Sequence, residues 1–521
     1  MKVAIVGSGV AGLSALWMLN EYSEHEVHIF DKEDWAGGHA HTVDYQSERF
    51  ASCDTVQGLF VVRRGLTNYQ MSMNPVSYPN LYRFLRAKGI ETVNVPNSLT
   101  VSHNMGEFEW ASGGLLALFC QPKNIFKKRI YRMLLDVWRF NHLALDLLRD
   151  PSTAIGITVG QYLKDNGYSE EFKRDYLLPM TGSIWATPTD KVFEAFPILT
   201  LVKYMHNHLI LHMREEPEWL TIKGGSANWV KVVIDSVPQN RVHLKTAVSA
   251  VQPLKNGDGV VITTAEGKEK FDHVILATHS QVSLELLRRG GGASEDEERL
   301  LSPCEWTDNV NVVHWDDRVC CPFGQAFASL TAYAESVAWH YLSVHNNQDY
   351  SKTNREKPPH LDTNGVCTTI NLNALHNLPV SKHGLCLTTL NPHFPVDPKK
   401  ILSVWKLDHP VMSQSLMEAQ KHLHLIQNKR GISFAGAWTG YGFHEDGFRS
   451  GMQVAEALGV KGPWEVMSPN RDIPDPNSRE RMARKIATWI GKRRLRKMAS
   501  SRVSGISSSQ SSIGSSVPEK I

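Results

Sequence analysis

Three closely spaced glycines near the start of the chain, in Gly7-Ser8-Gly9-Val10-Ala11-Gly12, stand where the absence of a side chain could itself do chemistry. The run before them, Val3-Ala4-Ile5-Val6, is uniformly apolar, as a strand buried on both faces must be. After them come a predicted helix over 13–21 and a second strand over 26–30 that ends at Asp31. Strand, glycine turn, helix and strand, with an acid about twenty residues on, is the pattern that cradles a dinucleotide pyrophosphate. Gly7 permits the tight turn, Gly9 lets the backbone approach the phosphates, and Gly12 lets helix and strand pack closely. The helix start supplies free N–H groups and the positive end of a dipole. Asp31 is placed to accept hydrogen bonds from the adenosine ribose. Glycines serve turns everywhere, so the triplet alone says little; its flanking elements make it a binding signature.

NAD and FAD both fit such a turn, and two further stretches favour FAD. Gly37-Gly38 lies just past the acid, where a second turn can run along the cofactor. Far downstream, Ile432-Ser433-Phe434 reads as a strand, followed by a loop holding Gly436, Gly442 and Gly447 and then a helix to Leu458. This second strand–loop–helix can present N–H groups to the N1/C2 carbonyl end of a reduced flavin. Gly436 and Gly447 are the contacts expected there. Tyr441 and His444 flank the loop and are candidate groups facing the ring. His39, beside the second turn, is either a cofactor neighbour or a turn histidine bonded to its own backbone.

Together these motifs resemble the flavin-containing amine oxidase superfamily, and most closely its amine-oxidase-like group found in bacteria, fungi and plants. The likeness is carried by Gly37-Gly38-His39-x-His41, Tyr78-Pro79-Asn80-Leu81, Tyr176-Leu177-Leu178-Pro179-Met180 and Gly224-Gly225-Ser226. Downstream it continues through Phe271-Asp272-His273-Val274-Ile275-Leu276-Ala277, Thr389-Leu390-Asn391-Pro392 and Gly440-Tyr441-Gly442-Phe443-His444-Glu445-Asp446-Gly447. The resemblance implies an α/β fold, a Rossmann-type FAD-binding domain with an inserted α+β substrate domain, and it places Val248 or Val251 against the adenine. One segment departs from the pattern. Asp54-Thr55 lacks the glycine that should follow, and residues 56–73 form a longer spacer than the group shows, either an inserted loop or a gene-model error.

In the wider superfamily a lysine stands near flavin N5, on a substrate-domain strand. Here the corresponding strand is 309–316, with His314 near the lysine's place. A histidine there could act as a base or position water; equally, it could be a buried group bonded to Asp316 or Asp317. His314, Tyr441 and His444 are thus the catalytic candidates. His279 reads as structural. Trp185, Trp339 and Tyr341 could wall an apolar pocket, although most aromatic residues are simply core. Nucleophile elbows, metal-ligand spacings and phosphate-loop lysines do not occur, so the expected activity is an FAD-dependent oxidoreductase acting on a small, apolar substrate that it oxidises, desaturates or isomerises. The alternatives are a true amine or polyamine oxidase, and a non-catalytic flavin-binding protein at a membrane surface.

The elements that must position these residues divide the 521-residue chain. FAD-binding segments are expected at 1–90, 219–290 and 416–462, and substrate-domain segments at 91–218 and 291–415. Residues 219–290 should supply strands near 242–244, 248–251, 260–264 and 271–277, and 91–218 a basic aromatic helix over 126–148. The net charge of +3 gives no case for nucleic acid, and the seven scattered cysteines suit free thiols in a reducing compartment. With neither a signal sequence nor an apolar span, a cytoplasmic protein is expected. Residues 463–499 read as a proline-rich linker and a basic amphipathic helix over 478–499. Met482, Ile486, Trp489, Ile490 and Met498 mark its apolar side, and Arg479, Arg481, Arg484, Lys485, Lys492 and Arg493 the opposite one. Such a helix can lie on an anionic membrane, or pack on its own domain. The Ser-rich stretch over 500–521 reads as disordered.

Overall fold

The apolar run before the glycines becomes the strand Lys2–Val6, and the rest of the sheet is assembled on its two edges. Glu26–Phe30 pairs in parallel on one side and His273–Leu276 on the other. Val242–His243 extends the first side and Ile432–Phe434 the second, giving a five-stranded parallel sheet drawn from both ends and the middle of the chain. Its carboxyl ends share one edge, which is where open α/β sheets bind ligands. This computed structural model describes residues 1–40, 42–45, 64–67, 73–95, 99–103, 107–112, 114–185, 189–211, 218–317, 340–344, 366–375, 379–392 and 395–510.

The helix Val10–Glu21 follows the glycines and is buried continuously from Val10 to Leu19. It can be apolar all round because the sheet lies on one side and the helix His444–Ala457 on the other. Gly451 is the point of contact. A Cβ there would fall inside the van der Waals surfaces of Ser14 Oγ and the Ala11 carbonyl. Gly12 plays the same part toward the sheet, where a Cβ would overlap the Gly7 carbonyl.

A second, seven-stranded sheet gathers Leu99–His103 and Phe108–Ala111 with Trp306–His314, His340–Val344, Val366–Asn371, Leu387–Leu390 and Ile401–Pro410. Neighbours run antiparallel except where His340–Val344 meets Leu99–His103. That parallel pairing joins the two inserted segments into one sheet. The chain leaves the parallel unit and returns to it along a short ribbon, Thr92–Asn94 against Leu220–Ile222.

The strand expected over 271–277 is in fact two. Gly267–Phe271 closes an antiparallel meander with Ala250–Pro253 and Val260–Thr264, while His273–Leu276 enters the parallel sheet. Asp272 marks the junction: its carboxylate accepts the Lys2 N–H at 2.6 Å, and its own N–H donates to the Lys2 carbonyl. A single residue separating Phe271 from the apolar run His273–Leu276 is invisible to a periodicity argument. Of the atypical spacer, Arg64–Thr67 pairs with Thr42–Tyr45 and Met73 bridges to Leu220. Residues 56–63 and 68–72, His41, Asp54-Thr55, Cys320-Cys321 and Trp339 lie outside the described residues.

The proline-rich linker is strapped down. Asn80 exchanges hydrogen bonds with Met467, Asn207 accepts the Arg471 N–H, and Arg149 donates to the Pro474 carbonyl at 2.6 Å. The helix Ser478–Gln510 then runs antiparallel along Lys128–Arg149 and continues into the Ser-rich stretch. The helix packs on its own domain through a polar stripe. Asp136, fully buried, demands cations and receives Arg139 and Arg494; Arg484 pairs with Asp146, and Ala487 and Gly491 are small enough to let the helices close. Met482, Ile486 and Trp489 consequently face outward, with Trp489 58% exposed. Leaving Asp136 without its cations would cost more than exposing three apolar side chains.

Because the Gly451 contact has no room for a side chain, Gly451→Val should lower unfolding free energy by about 3 kcal/mol. Denaturant unfolding of the purified variant measures this, and an unchanged midpoint would contradict the packing described.

Candidate functional site

The glycine cradle is built from backbone alone. Gly7 has φ +102° and a Cβ there would lie 2.6 Å from the Ala277 carbonyl, so no other residue fits the turn. Its N–H donates to the Phe30 carbonyl, pinning the turn to the second strand. Gly9 is different: a Cβ there would meet nothing within 4 Å. Gly9 is the N-cap residue of the helix Val10–Glu21, and no side chain caps that start. Packing therefore does not require a glycine at this position.

The second turn lies directly on the first. Gly37 N–H donates to the Ser8 carbonyl at 2.9 Å, and Gly9 and Gly37 form a parallel bridge. Asp31 holds the loop: its carboxylate accepts the Ser8 N–H at 2.7 Å, the Ser8 hydroxyl at 2.5 Å and the Glu33 N–H at 3.0 Å. Most of its acceptor capacity is thus spent on the protein, leaving a smaller share for a ribose hydroxyl. The Thr246 N–H donates to the Asp31 carbonyl, which brings the segment carrying half-buried Val248 past the end of the second strand.

The late loop closes over the same edge. Gly436 N–H donates to Ser450 Oγ at 2.9 Å, and a Cβ on Gly447 would lie 3.6 Å from Val10 Cβ and 3.7 Å from Ala11 N. The starts of the helices Val10–Glu21 and His444–Ala457 therefore meet at the cradle. Asp446 accepts the Phe443 N–H at 3.1 Å, and burial raises its pKa to about 6. Glu445 reaches the other way, accepting Asn80 N–H, Asn80 Nδ2 and Leu81 N–H at 3.2, 2.6 and 3.0 Å. Burial pushes its pKa to about 7. The Tyr78-Pro79-Asn80-Leu81 motif is thus the start of a helix, Pro79–Ala87, that receives a carboxylate from the late loop.

Histidines from separate parts of the chain converge here. The His39 ring centre lies 6.0 Å from His279 and 5.7 Å from His409, and His279 stacks on Trp306 at 3.9 Å. Asn309 Nδ2 donates to His409 Nδ1 at 3.0 Å, which fixes that nitrogen as an acceptor. Burial lowers the pKa of His39 and His444 to about 4, with the His39 charge adding to the effect on His444. His279 and His409 fall to about 3, through burial first and then repulsion from neighbouring histidines. All four are neutral near pH 7.

Beside them stands an aromatic wall. Tyr204 stacks on His208 at 3.9 Å and on Phe443 at 5.1 Å, and Trp185 lies 4.5 Å from Tyr204. Trp185 Nε1 donates to the Tyr441 carbonyl at 2.9 Å. Burial, and then Asp446, raises the Tyr441 pKa well above the ordinary phenol range, so its hydroxyl stays protonated.

Not every expected residue joins this group. His314 ends the strand that Trp306 begins, about 26 Å away along it by strand rise. It is fully buried, Nε2 donating to Thr389 Oγ1 at 2.7 Å and Nδ1 accepting the Asp316 N–H at 3.0 Å. The Asp316 carboxylate pairs with Lys400 instead. Tyr341 lies on the strand His340–Val344. Conversely, His279, His409 and Trp306 belong to the cluster. His279 had an available signal, since it follows a parallel strand at its carboxyl end; His409 and Trp306 are brought in by antiparallel pairing across the second sheet, which no local pattern announces.

Unfolded histidines take up protons below about pH 6.5, whereas these resist until well below it. Their contribution to stability is complete above the unfolded value and is lost as pH falls. Glu445 and Asp446, with raised pKa values, titrate in the same region with the opposite sign. The histidine effect is therefore read against a variant: between pH 6.5 and 5, His409→Asn should lose about 2 kcal/mol less stability than the wild type. Equal losses by denaturant unfolding would refute it.

Residues 10–459 match the family described as flavin containing amine oxidoreductase. Putrescine oxidase bound to putrescine shares 13% identity at a TM-score of 0.57, over 88% of this chain and 98% of that one. Cyclohexylamine oxidase from Brevibacterium oxydans shares 12% at 0.53, over 88% and 99%. A CLA-producing fatty acid isomerase from P. acnes shares 13% at 0.52, over 88% and 98%. At such identities the likeness is one of fold. No curated protein matches the chain.

Proposed function

This chain belongs to the family of flavin-containing amine oxidoreductases and is an FAD-dependent enzyme, and from that premise we propose that it oxidises, desaturates or isomerises a small, largely apolar molecule. The observation that carries this reading is the wall beside the cradle: Trp185, Tyr204, Tyr441 and Phe443 with neutral histidines, and carboxylates already committed to backbone N–H groups. Among the described residues of that wall, the carboxylates Glu445 and Asp446 are already bonded to N–H groups, and a hydrocarbon would lose little on entering it. A fatty acid isomerase shares the fold, and an acyl chain suits a surface of this kind.

In this assignment 1–90, 219–290 and 416–462 form the FAD-binding unit, and 91–218 and 291–415 the substrate unit. Gly7, Gly9 and Gly12 with the first helix start hold the pyrophosphate, Asp31 the ribose, and Val248 the adenine. Gly37, Gly38 and His39 run along the cofactor, and Gly436 and Gly447 meet its ring end. When bound, the flavin supplies at N5 an acceptor for a hydride. The protein's own work is to orient a C–H bond and exclude water. Tyr441 offers a protonated hydroxyl, and neutral His444 one donor and one acceptor, while the aromatic wall keeps the site dry. His314 has no part in this, being held apart by its own hydrogen bonds.

We also place the helix segment 478–499 against an anionic membrane. No helix among the described residues is long and apolar enough to cross one, so the contact is interfacial. Outward-facing Met482, Ile486 and Trp489 support it, with Arg493, Arg496 and Lys497 around them.

Gly9→Val separates binding from folding. Because its side chain enters open space, apoprotein stability should change by no more than about 0.5 kcal/mol, while FAD affinity falls at least about 10-fold through collision with the phosphates. Retained affinity would place the cofactor elsewhere. For the substrate, Tyr441→Phe and His444→Gln should each lower kcat/KM on an apolar substrate about 10-fold or more. Faster turnover of polyamines than of any lipid, read as peroxide release, would overturn the apolar assignment.

A further inference from the structure

Between the strand Phe108–Ala111 and the helix Lys128–Arg149 the chain makes two short turns of helix, Leu115–Leu118 and Pro122–Phe126, whose apolar side chains face water. Leu116 is 89% exposed and Phe126 90%, more than any packing role allows. Their backbone is nonetheless well anchored. Asn124 is fully buried and donates to the Glu109 carbonyl at 2.8 Å. Tyr131 OH donates to the Ile125 carbonyl at 2.8 Å, and Lys127 lies over the Phe108 ring. The tips are apolar, protruding and firmly held.

The segment itself carries charge of one sign, with Glu107 just before it and Glu171 nearby. From Trp110 to Leu135 the chain carries Lys123, Lys127, Lys128, Arg129 and Arg132 and no acid. Arg129 turns inward to Asp175 and Arg132 reaches Glu171, while Lys123 and Lys128 stay exposed beside the tips. The pKa of Lys127 is lowered by burial and then by Lys123 and Arg129, against an opposing pull from Glu107. On the same helix, Lys128, Arg132 and Leu135 share a face with Asp136 and Arg139, the residues onto which the C-terminal helix packs.

We propose that this knuckle docks on an anionic lipid bilayer, inserting Leu115, Leu116, Ile125 and Phe126 among the acyl chains while Lys123 and Lys128 meet the headgroup anions. Protruding apolar tips with a basic rim match the layering of such a surface, apolar within and negative at the boundary. The element is distinct from residues 478–499, so either contact can fail without the other.

The test is co-sedimentation of the full FAD-loaded chain with vesicles of phosphatidylcholine, with and without phosphatidylserine. Wild type should bind the anionic vesicles at least about 10-fold more tightly than the neutral ones. Leu116→Ser/Phe126→Ser should lose about 10-fold or more of that binding, with thermal midpoint and flavin absorption unchanged. Lys123→Gln/Lys128→Gln should weaken the preference for anionic vesicles, the remainder coming from the basic residues of 478–499. In a chain that also carries Met482→Ser and Trp489→Ser, the knuckle substitutions should still reduce binding further. Unaltered binding by the Leu116→Ser/Phe126→Ser chain overturns the proposal, as does failure of the wild type to bind anionic vesicles. A lipid-free dimer that these substitutions dissociate would also overturn it, because the tips would then cover a second copy.

Discussion

The helices Val10–Glu21 and His444–Ala457 come from opposite ends of the family-matched region, and they touch at Gly451 against Ser14 and the Ala11 carbonyl. Any side chain at that point would force them apart. Because they close there, their N-termini arrive together at the carboxyl edge of the parallel sheet, one behind Gly9 and the other behind Gly447. The start of the first helix carries no side-chain cap, whereas the start of the second already holds Asp446 on the Phe443 N–H. The second glycine turn rests on the first, and the late loop carrying Tyr441, Phe443 and His444 is held against Asn80 by Glu445. Everything assigned to the cofactor depends on this closure.

The electrostatics around the cradle follow from burial. Neighbouring imidazoles in a desolvated site cannot all carry charge, and His39, His279, His409 and His444 stay neutral well below pH 7. The carboxylates of Glu445 and Asp446 are also costly to bury, and each is stabilised by backbone N–H groups instead of a substrate. The wall of Trp185, Tyr204 and Phe443 beside them is aromatic, while the partly exposed Asp408 lies 3.9 Å from His279.

The cradle was legible in the sequence because its requirements are local: the turn at Gly7, the open side of Gly9 and the strand before them lie within a few residues of each other. The late loop was legible for the same reason. His409 and Trp306 were not, since only pairing between Trp306–His314 and Ile401–Pro410 brings them to His39 and His279. His314 lies at the opposite end of its strand from Trp306, which a strand position reveals only once the strand's direction is known. In the C-terminal helix the packed stripe is Arg484, Ala487, Gly491 and Arg494, set by the buried Asp136 and by Asp146, which the apolar pattern alone does not reveal.

The central claim, that both ends of the family-matched region close around one FAD, is tested most directly by the absorption spectrum of the purified chain with the released cofactor identified by mass. The account predicts flavin bands and one FAD per chain, restored on adding FAD to stripped protein. A chain that stays colourless after FAD addition, or releases a nicotinamide dinucleotide, would contradict it.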